Sequence, residues 1–276
     1  MLEFSGKTAV VTGGASGIGL AVAKALGAQG MRLVIADIEA AALESARAEL
    51  EGEGFEVLGV RTDVSKLADV ENLAAAAVEH FGAVHVVHNN AGVVLAGRIA
   101  DYSIEDWEWV MGVDLWGVIH GVKVFLPLIK QAGEGHIINT ASSAGLYSQA
   151  GIAPYNVAKF GVVALTETLA RELEQGSRPI GASVLCPGAV STNIVESDRN
   201  REGGAPATKT HLEFKQQAGG LVDGGGLPPS QVADLVVEGI KDGRFWILPH
   251  PKWIDVLRKR VEGMAEGGVL KAGFGG

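Results

Sequence analysis

The chain has 276 residues, of which 47% are apolar and 20% charged. That composition excludes a disordered chain and permits a large buried core. The formal charge is −9, from 23 Lys and Arg against 32 Asp and Glu, which argues against a nucleic-acid partner. Cys186 is the only cysteine, so an intramolecular disulfide and a four-cysteine zinc site are both excluded. The start, Met1-Leu2-Glu3-Phe4, lacks a basic segment followed by an apolar core, and no uncharged apolar run reaches about 18 residues. The expectation is a cytoplasmic protein with no membrane partner.

In chain order, Lys7 to Thr12 predicts a first strand, followed by a Gly-rich turn and a helix from Ile18 to Gln29. Arg32 to Asp37 is the second strand, and Glu39 to Glu51 is a helix rich in Ala, Leu, Glu and Arg. Phe55 to Arg61 is the third strand, Leu67 to His80 a helix, and Val84 to His88 the fourth strand. Glu105 to Lys130 predicts one long helix, bent near Gly117 or Gly121 and stopped at Gly133 to Gly135. His136 to Thr140 is the fifth strand. Pro154 opens a helix to Leu173, because its fixed φ suits a first turn. Ile180 to Cys186 is the sixth strand.

Strands alternating with helices predict βαβ units, and right-handed crossovers then give a parallel sheet covered on both faces. The segment Ser191 to Pro229 differs, being polar and Gly-rich with a short helical candidate over Thr210 to Gln217. A connection that long is read as a substrate lid, about residues 191–228. Ser230 to Lys241 is a helix, Phe245 to Leu248 a short strand, and Pro251 to Met264 an amphipathic helix with Trp253, Ile254, Leu257 and Val261 near one face. The expected organisation is a single domain over 1–250, then a C-terminal helix and flexible tail over 251–276.

The first strand runs into Thr12-Gly13-Gly14-Ala15-Ser16-Gly17-Ile18-Gly19 and a helix. A turn without Cβ obstruction lets backbone N–H groups meet a pyrophosphate, and the helix start adds partial positive charge. Asp37 ends the second strand, 18 residues after Gly19, near the spacing expected of a ribose ligand. Its carboxylate accepts ribose hydroxyls and repels a 2′-phosphate, which favours NAD over NADP. No Arg or Lys stands beside it, since Ile38 and Glu39 follow. The alternative makes Asp37 the N-cap of the next helix.

The spacing Gly13-x-x-x-Gly17-x-Gly19, with Tyr155-Asn156-Val157-Ala158-Lys159, resembles the short-chain dehydrogenase/reductase family in its classical form. Asn89-Asn90-Ala91-Gly92, Ser142 placed 13 residues before the tyrosine, and Pro187-Gly188-Ala189-Val190-Ser191-Thr192 follow the same pattern in order. The resemblance implies a Rossmann-like, doubly wound α/β fold, a three-layer αβα sandwich. It places Gly13, Ser16, Gly17, Ile18 and Gly19 around the pyrophosphate and its ribose. Asp37 would select NAD, Asp63 and Val64 would meet the adenine, and Asn90 and Gly92 would line the cofactor floor. Tyr155 and Lys159 would hold the nicotinamide ribose, and Val190 and Thr192 would touch the carboxamide. It also implies a homo-oligomer, a tetramer or dimer.

The chemistry of these residues agrees with that implication. Oxidising an alcohol requires loss of its hydroxyl proton, and a tyrosine near its ordinary pKa of about 10 is a poor base at neutral pH. Lys159 is four residues on, hence on the same helix face. Its ammonium is expected to lower the phenol, so that Tyr155 is the base in oxidation and the acid in reduction. Ser142 donates to the substrate oxygen, with neighbouring Ser143 as the alternative. Gln149 is a candidate substrate contact, and no metal is called for. One position departs from the family pattern: Asp114 stands where the family usually has Asn. That Asn takes part in a water-mediated relay to the lysine, so Asp114 is expected to give an active enzyme with a modified relay.

The expected pocket residues are Val94, Leu95, Ala144, Gln149, Ile152, Ile194 and 195–225. Their apolar character points to a small-molecule secondary alcohol or ketone that is alicyclic, aromatic or steroid-like. His211 and Phe214 are the next candidates for substrate contact. Trp107, Trp109 and Trp116 read as core or interface residues, and Glu105, Asp106 and Glu108 as a solvated face. The rival readings are an NADP-linked ketoreductase, a cofactor-binding regulator without turnover, and a non-nucleotide structural protein.

Overall fold

The computed structural model describes residues 3–177, 179–204, 210–216 and 225–268. The predicted helical candidate ends, and the expected flexible tail begins, among residues outside that range. Short runs of Val, Ile and Ala form β1 (Thr8–Thr12), β2 (Arg32–Asp37), β3 (Val57–Arg61), β4 (Val86–Asn89), β5 (Gly135–Thr140), β6 (Ile180–Leu185) and β7 (Trp246–Ile247). They make one parallel sheet in the order β3-β2-β1-β4-β5-β6-β7. In register, Val10 pairs with Val34 on one side and Val87 on the other.

The helices are α1 (Gly17–Ala28), α2 (Ala40–Gly52), α3 (Leu67–Phe81), α4 (Ile104–Met111), α5 (Gly117–Ala132), α6 (Ala153–Glu174), α7 (210–216), α8 (Pro229–Asp242) and α9 (Trp253–Ala265). Alternation along β1 sends Ala9 and Val11 to one face and Val10 to the other. On the first face they meet Val22 and Leu26 of α1, Leu43 and Leu50 of α2, and Val232 and Val236 of α8. On the second, Val10, Val34 and Val87 meet Leu73 of α3, Phe125 and Ile129 of α5, and Leu169 of α6. Each fully buried Leu, Ile or Phe contributes about 1.5–3 kcal/mol. The result is the three-layer, doubly wound α/β architecture of a Rossmann-like fold, and strands buried on both faces explain the near-continuous apolar runs. The strand order reverses between β1 and β4, so a crevice opens outside their carboxyl ends.

The long helix differs from expectation in its interior. Rather than bending at a glycine, the run from Ile104 to Ala132 widens into one π-helical turn over Gly112–Trp116. That turn carries Asp114 into the interior, where it is fully buried. Gly117 and Gly121 serve close approach instead: a Cβ at Gly117 would lie 2.7 Å from Val64 Cγ2, and one at Gly121 only 1.9 Å from Asn89 Oδ1. Within this run of 29 residues an 18-residue window has mean hydropathy 1.4, enough by length and composition to cross a membrane. Here it is a layer helix, with Val118, Phe125 and Ile129 in the core. β3 starts at Val57, because Phe55 turns under α1, where a Cβ on Gly27 would meet its ring at 2.9 Å.

Asn89 Nδ2 donates to Asn139 Oδ1 at 2.8 Å, and Asn139 Nδ2 donates to Thr166 Oγ1 at 3.0 Å. Gly121→Ala is expected to push this buried chain apart and to cost about 1–3 kcal/mol in urea unfolding. Gly52→Ala on α2, whose Cβ would meet nothing within 4 Å, is the control and should leave stability unchanged or slightly raised.

Candidate active site

The turn after β1 is shaped by its glycines. Gly13 and Gly17 have φ of +61° and +53°, which favour a residue without Cβ. A Cβ on Gly19 would lie 2.0 Å from Gly13 O, so the loop could not pass over the helix start. Asn90, expected on the cofactor floor, also holds this loop: its Nδ2 donates to Thr12 O at 3.1 Å. Thr12 Oγ1 in turn accepts from Asn90 N and Ala91 N at 2.9 and 3.2 Å.

Asp37 lies at the loop's rim. Its carboxylate accepts from Ala15 N at 3.2 Å and Glu39 N at 3.1 Å. Burial pushes its carboxyl up. The N-cap of α2 is Glu39, so the capping alternative for Asp37 does not hold. No cation neighbours Asp37 in sequence, but the fold brings Arg199 to Glu39, two residues on. Arg199 Nη2 and Asn200 Nδ2 both donate to Glu39 Oε1, at 2.5 and 2.9 Å, and the guanidinium holds Glu39 below its usual range.

A cavity of about 790 Å³ runs from this rim to α6. Gly13, Ser16, Gly17 and Ile18 line it at one end with Asp37, Asp63 and Val64. Asn90, Gly92, Val190 and Thr192 line its middle, and Ser142, Gln149, Tyr155 and Lys159 share the same wall space. Gly19 and Asp114 do not line it: Gly19 acts through loop packing, and Asp114 sits behind Lys159. Burial pushes Asp63 up, but hydrogen bonds from Ser65 and the Lys66 ammonium outweigh it and leave the group lowered. Val190 is buried and bridges to Leu227, while Thr192 packs where a Cβ on Gly17 would stand.

Ser142 follows β5, and Tyr155 and Lys159 lie one turn apart near the start of α6. Ser142 Oγ accepts from Ala144 N at 3.1 Å, and its hydroxyl acts to lower the Tyr155 phenol, whereas Ser143 does so for Tyr147. Lys159 is 2% exposed, and its Nζ donates to Thr140 O at 3.1 Å. The ammonium lies 5.4 Å from the Tyr155 ring centroid and 3.7 Å from Asp114 Oδ2. Asp114 Oδ1 accepts from Val93 N at 2.7 Å, and its Oδ2 accepts no hydrogen bond. Burial pushes Asp114 up to about 6, against the pull of Lys159.

The phenol does not behave as the sequence suggested. Burial raises it well above its ordinary value, and the Asp114 charge raises it further. Lys159 faces the Asp114 carboxylate as well as the phenol. Asp114 touches no cavity surface and lies behind Lys159.

The described residues of the segment expected to act as a lid are tied down by polar contacts. Ser197 Oγ accepts from Val94 N at 2.9 Å. Arg201 pairs with Asp106 at 2.5 Å and lies 5.8 Å from the Trp109 ring. Asp106 is thus buried, not solvated; it also completes a capping box with Ser103. The Ser103-x-x-Asp106 spacing was the available signal for that box. His211 is a lid anchor at 2% exposure, with Nδ1 accepting from Ala96 N at 3.3 Å, while Phe214 lines the cavity. Among the expected pocket residues, Leu95 packs instead with Val93 and Val110 and does not line it. Sequence reasoning missed Trp109 and Trp253 as lining residues, while Arg199, within the expected 195–225, does line the cavity. Trp116 is 53% exposed, in keeping with an interface role rather than a core one. Among the described residues, no group of three His, Cys, Asp or Glu side chains is placed to hold a metal ion.

A Gly-lined loop at a strand-order switch, an acid at its rim and a Ser-Tyr-Lys group in one cavity define a dinucleotide-linked α/β enzyme. The glycine cradle, which added Cβ atoms would fill, fits a pyrophosphate lying against backbone. A family model described as short chain dehydrogenase matches residues 7–203. The CLA biosynthesis dehydrogenase/reductase of Lactiplantibacillus plantarum is 34% identical over 95% of this chain and 94% of its own length. The C alpha-dehydrogenase of Sphingobium sp. is also 34% identical, over 96% of this chain and 88% of its own. A short-chain dehydrogenase/reductase from Burkholderia phymatum, solved in complex with NAD, is 42% identical with a TM-score of 0.95 over 100% of both chains. The chain belongs to the short-chain dehydrogenase/reductase family. It is an NAD(P)-dependent oxidoreductase of the alcohol dehydrogenase and ketoreductase class.

The raised carboxyl of Asp114 makes a pH prediction. A carboxyl raised on folding binds more protons in the native state, so stability is greatest below the unfolded value of 3.8 and falls as pH rises through about 6. Asp114→Asn removes that loss. Its melting temperature relative to the parent should therefore climb between pH 4 and 6 and stay level above, measured by thermal unfolding across that range.

Proposed function

We propose that this enzyme is NAD-linked and interconverts a hydrophobic secondary alcohol and its ketone, with Tyr155 as general acid and base. The observation that carries the reading is that Ser142, Tyr155 and the buried Lys159, whose Nζ lies 5.4 Å from the Tyr155 ring centroid, line the same cavity as Asp37. When bound, the nicotinamide supplies hydride acceptance or donation and, when oxidised, a positive charge. Gly13, Ser16, Gly17, Ile18 and Gly19 would hold its pyrophosphate, Asp37 its adenosine ribose, and Asp63 with Val64 its adenine. Asn90 and Gly92 would form its floor, Val190 and Thr192 would meet the carboxamide, and Tyr155 and Lys159 would hold the second ribose.

Ser142 donates to the substrate oxygen and orients it. Tyr155 exchanges the alcohol proton. Lys159 holds positive charge under the phenol, and its own position is fixed between Thr140 O and Asp114. Because burial raises the phenol, added positive charge in the site is what brings it toward working pH. Val94, Ala144, Ile152, Ile194 and Phe214 line an apolar subsite, and Gln149 adds a polar contact. The segment 191–228 acts as lid.

A secondary-alcohol and ketone panel, followed by the absorbance of the reduced cofactor, tests the reading. Tyr155→Phe should lose about 10²–10⁴ in kcat. Asp114→Asn should stay within about tenfold of the parent, about 1.4 kcal/mol of barrier. A loss for Asp114→Asn as large as that for Tyr155→Phe would overturn its positioning role. The parent should use NAD in preference to NADP, and Asp37→Ser should narrow that preference by about tenfold. Equal use of both by the parent would favour the NADP-linked reading, on which side stands Arg199 near the rim. The one observation favouring a non-catalytic regulator is the Asp114 carboxylate beside Lys159. NADH binding without turnover on any of the panel would establish it.

For assembly, exposed Trp116 and Val157 on the π turn and α6, with Trp246 on the edge strand, support a homo-oligomer. Sedimentation of the intact chain tests that reading, and a monomer at micromolar concentration would end it.

A further inference from the structure

The C-terminal helix α9 has no fully buried side chain, yet its first residue reaches the catalytic cavity. Trp253 lines that cavity alongside Gln149, Tyr155 and Phe214. Its ring centroid lies 5.3 Å from that of Tyr147, tilted by 36°. Tyr147 is 4% exposed and does not line the cavity, so it backs the indole.

The entry of this side chain is built into the loop after β6. A Cβ on Gly188 would lie 2.7 Å from Trp253 Nε1, so only glycine leaves room there. His250 fixes the helix start against the same loop. Its Nδ1 accepts from Gly188 N at 3.0 Å, and its Nε2 lies 3.1 Å from Ala189 O. An accepting Nδ1 places the proton on Nε2, which then donates to Ala189. Burial lowers the imidazole, in agreement with a neutral ring. Both ring nitrogens are thereby spent on the Pro187–Ala189 backbone. Three residues later the chain presents an indole held by a packed tyrosine on a clamped helix start.

We propose that Trp253 is a specificity-determining residue, an aromatic wall that selects substrates carrying a flat ring on the carbinol carbon. The proposal rests on the oxidoreductase reading of this cavity and narrows its substrate class to aryl carbinols and aryl ketones. A flat ring lies against an indole with full face or edge contact, and the ring quadrupoles add to the burial of area. A puckered ring of similar size buries area but lacks that complementarity. The apolar cluster of Val94, Ala144 and Ile152, with Phe214 packed on it, supplies the second wall. Trp253 therefore acts on choice of substrate, while Ser142 and Tyr155 act on the carbinol itself.

The test compares three alcohols with eight carbons each: 1-phenylethanol, 1-cyclohexylethanol and 2-octanol. In Trp253→Leu, kcat/KM for 1-phenylethanol should fall about tenfold or more, and for the other two less than about threefold. Trp253→Phe, which keeps a flat ring, should recover most of the loss. The KM for NAD and the melting temperature should not move. Acetophenone binding, followed by calorimetry on the intact chain, should weaken at least about fivefold in Trp253→Leu. Equal losses on all three alcohols, or no loss on 1-phenylethanol, would overturn the proposal, as would unchanged acetophenone binding. A parent enzyme that turns over none of the three would count against the oxidoreductase reading, and the calorimetric arm would still decide the role of Trp253.

Discussion

Lys159 carries a positive charge at 2% exposure, and the arrangement of the catalytic end of the molecule follows from how that charge is held. An isolated ammonium removed from water costs several kcal/mol, so it must find compensating partners. It finds the carbonyl of Thr140 at the end of β5 and the carboxylate of Asp114 on the π turn. Those two partners tie the sheet, the long helix and α6 together at one point. Val93 N, bonded to Asp114 Oδ1, adds the strand-four loop to the same knot. The phenol of Tyr155 lies one turn away and shares the cavity wall with Ser142. The Asp114 carboxylate sets both the contacts and the charge at this point. It accepts from Val93 and faces Lys159, while its charge opposes ionisation of Tyr155.

The segment expected to act as a lid is held by apolar and polar contacts together. Ile194 and Phe214 pack on the cluster of Val94, Ala144 and Ile152, and polar ties reach three separate elements. Arg199 and Asn200 reach Glu39 at the start of α2, Ser197 reaches Val94, and Arg201 reaches the Asp106 capping box. The first pair is exposed, so it is weak and sensitive to salt. The last is buried and backed by the Trp109 ring, which makes it the firmer anchor. Lys215 adds contacts within the lid itself, to Glu196 and Asp198.

Most of the fold was legible from the chain because its signals are local. Strand runs bounded by turns, and helices between them, placed six strands within two residues of their observed ends, and the crossover rule supplied the parallel order. The glycine loop, Asp37, Ser142, Tyr155 and Lys159 were legible for the same reason, since loop chemistry and one-turn spacing are short-range properties. The π turn was not, because a single widened turn leaves apolar periodicity nearly intact. Asp106 was read as solvent-facing because its partner Arg201 lies far along the chain. Arg199 beside Glu39 and Trp253 beside Gly188 were hidden by the same long separations.

The amino-acid sequence by itself determined the layered α/β architecture, the phosphate-cradling turn and the Ser-Tyr-Lys group, since each depends on neighbours a few residues away. Only the tertiary structure decided how that group is charged and what walls surround it. Desolvation of Tyr155, the sharing of Lys159 with Asp114 and the arrival of Trp253 from the last helix all depend on which distant segments exclude water from one cavity. Water exclusion is a property of packing in space, and no spacing along the chain encodes it.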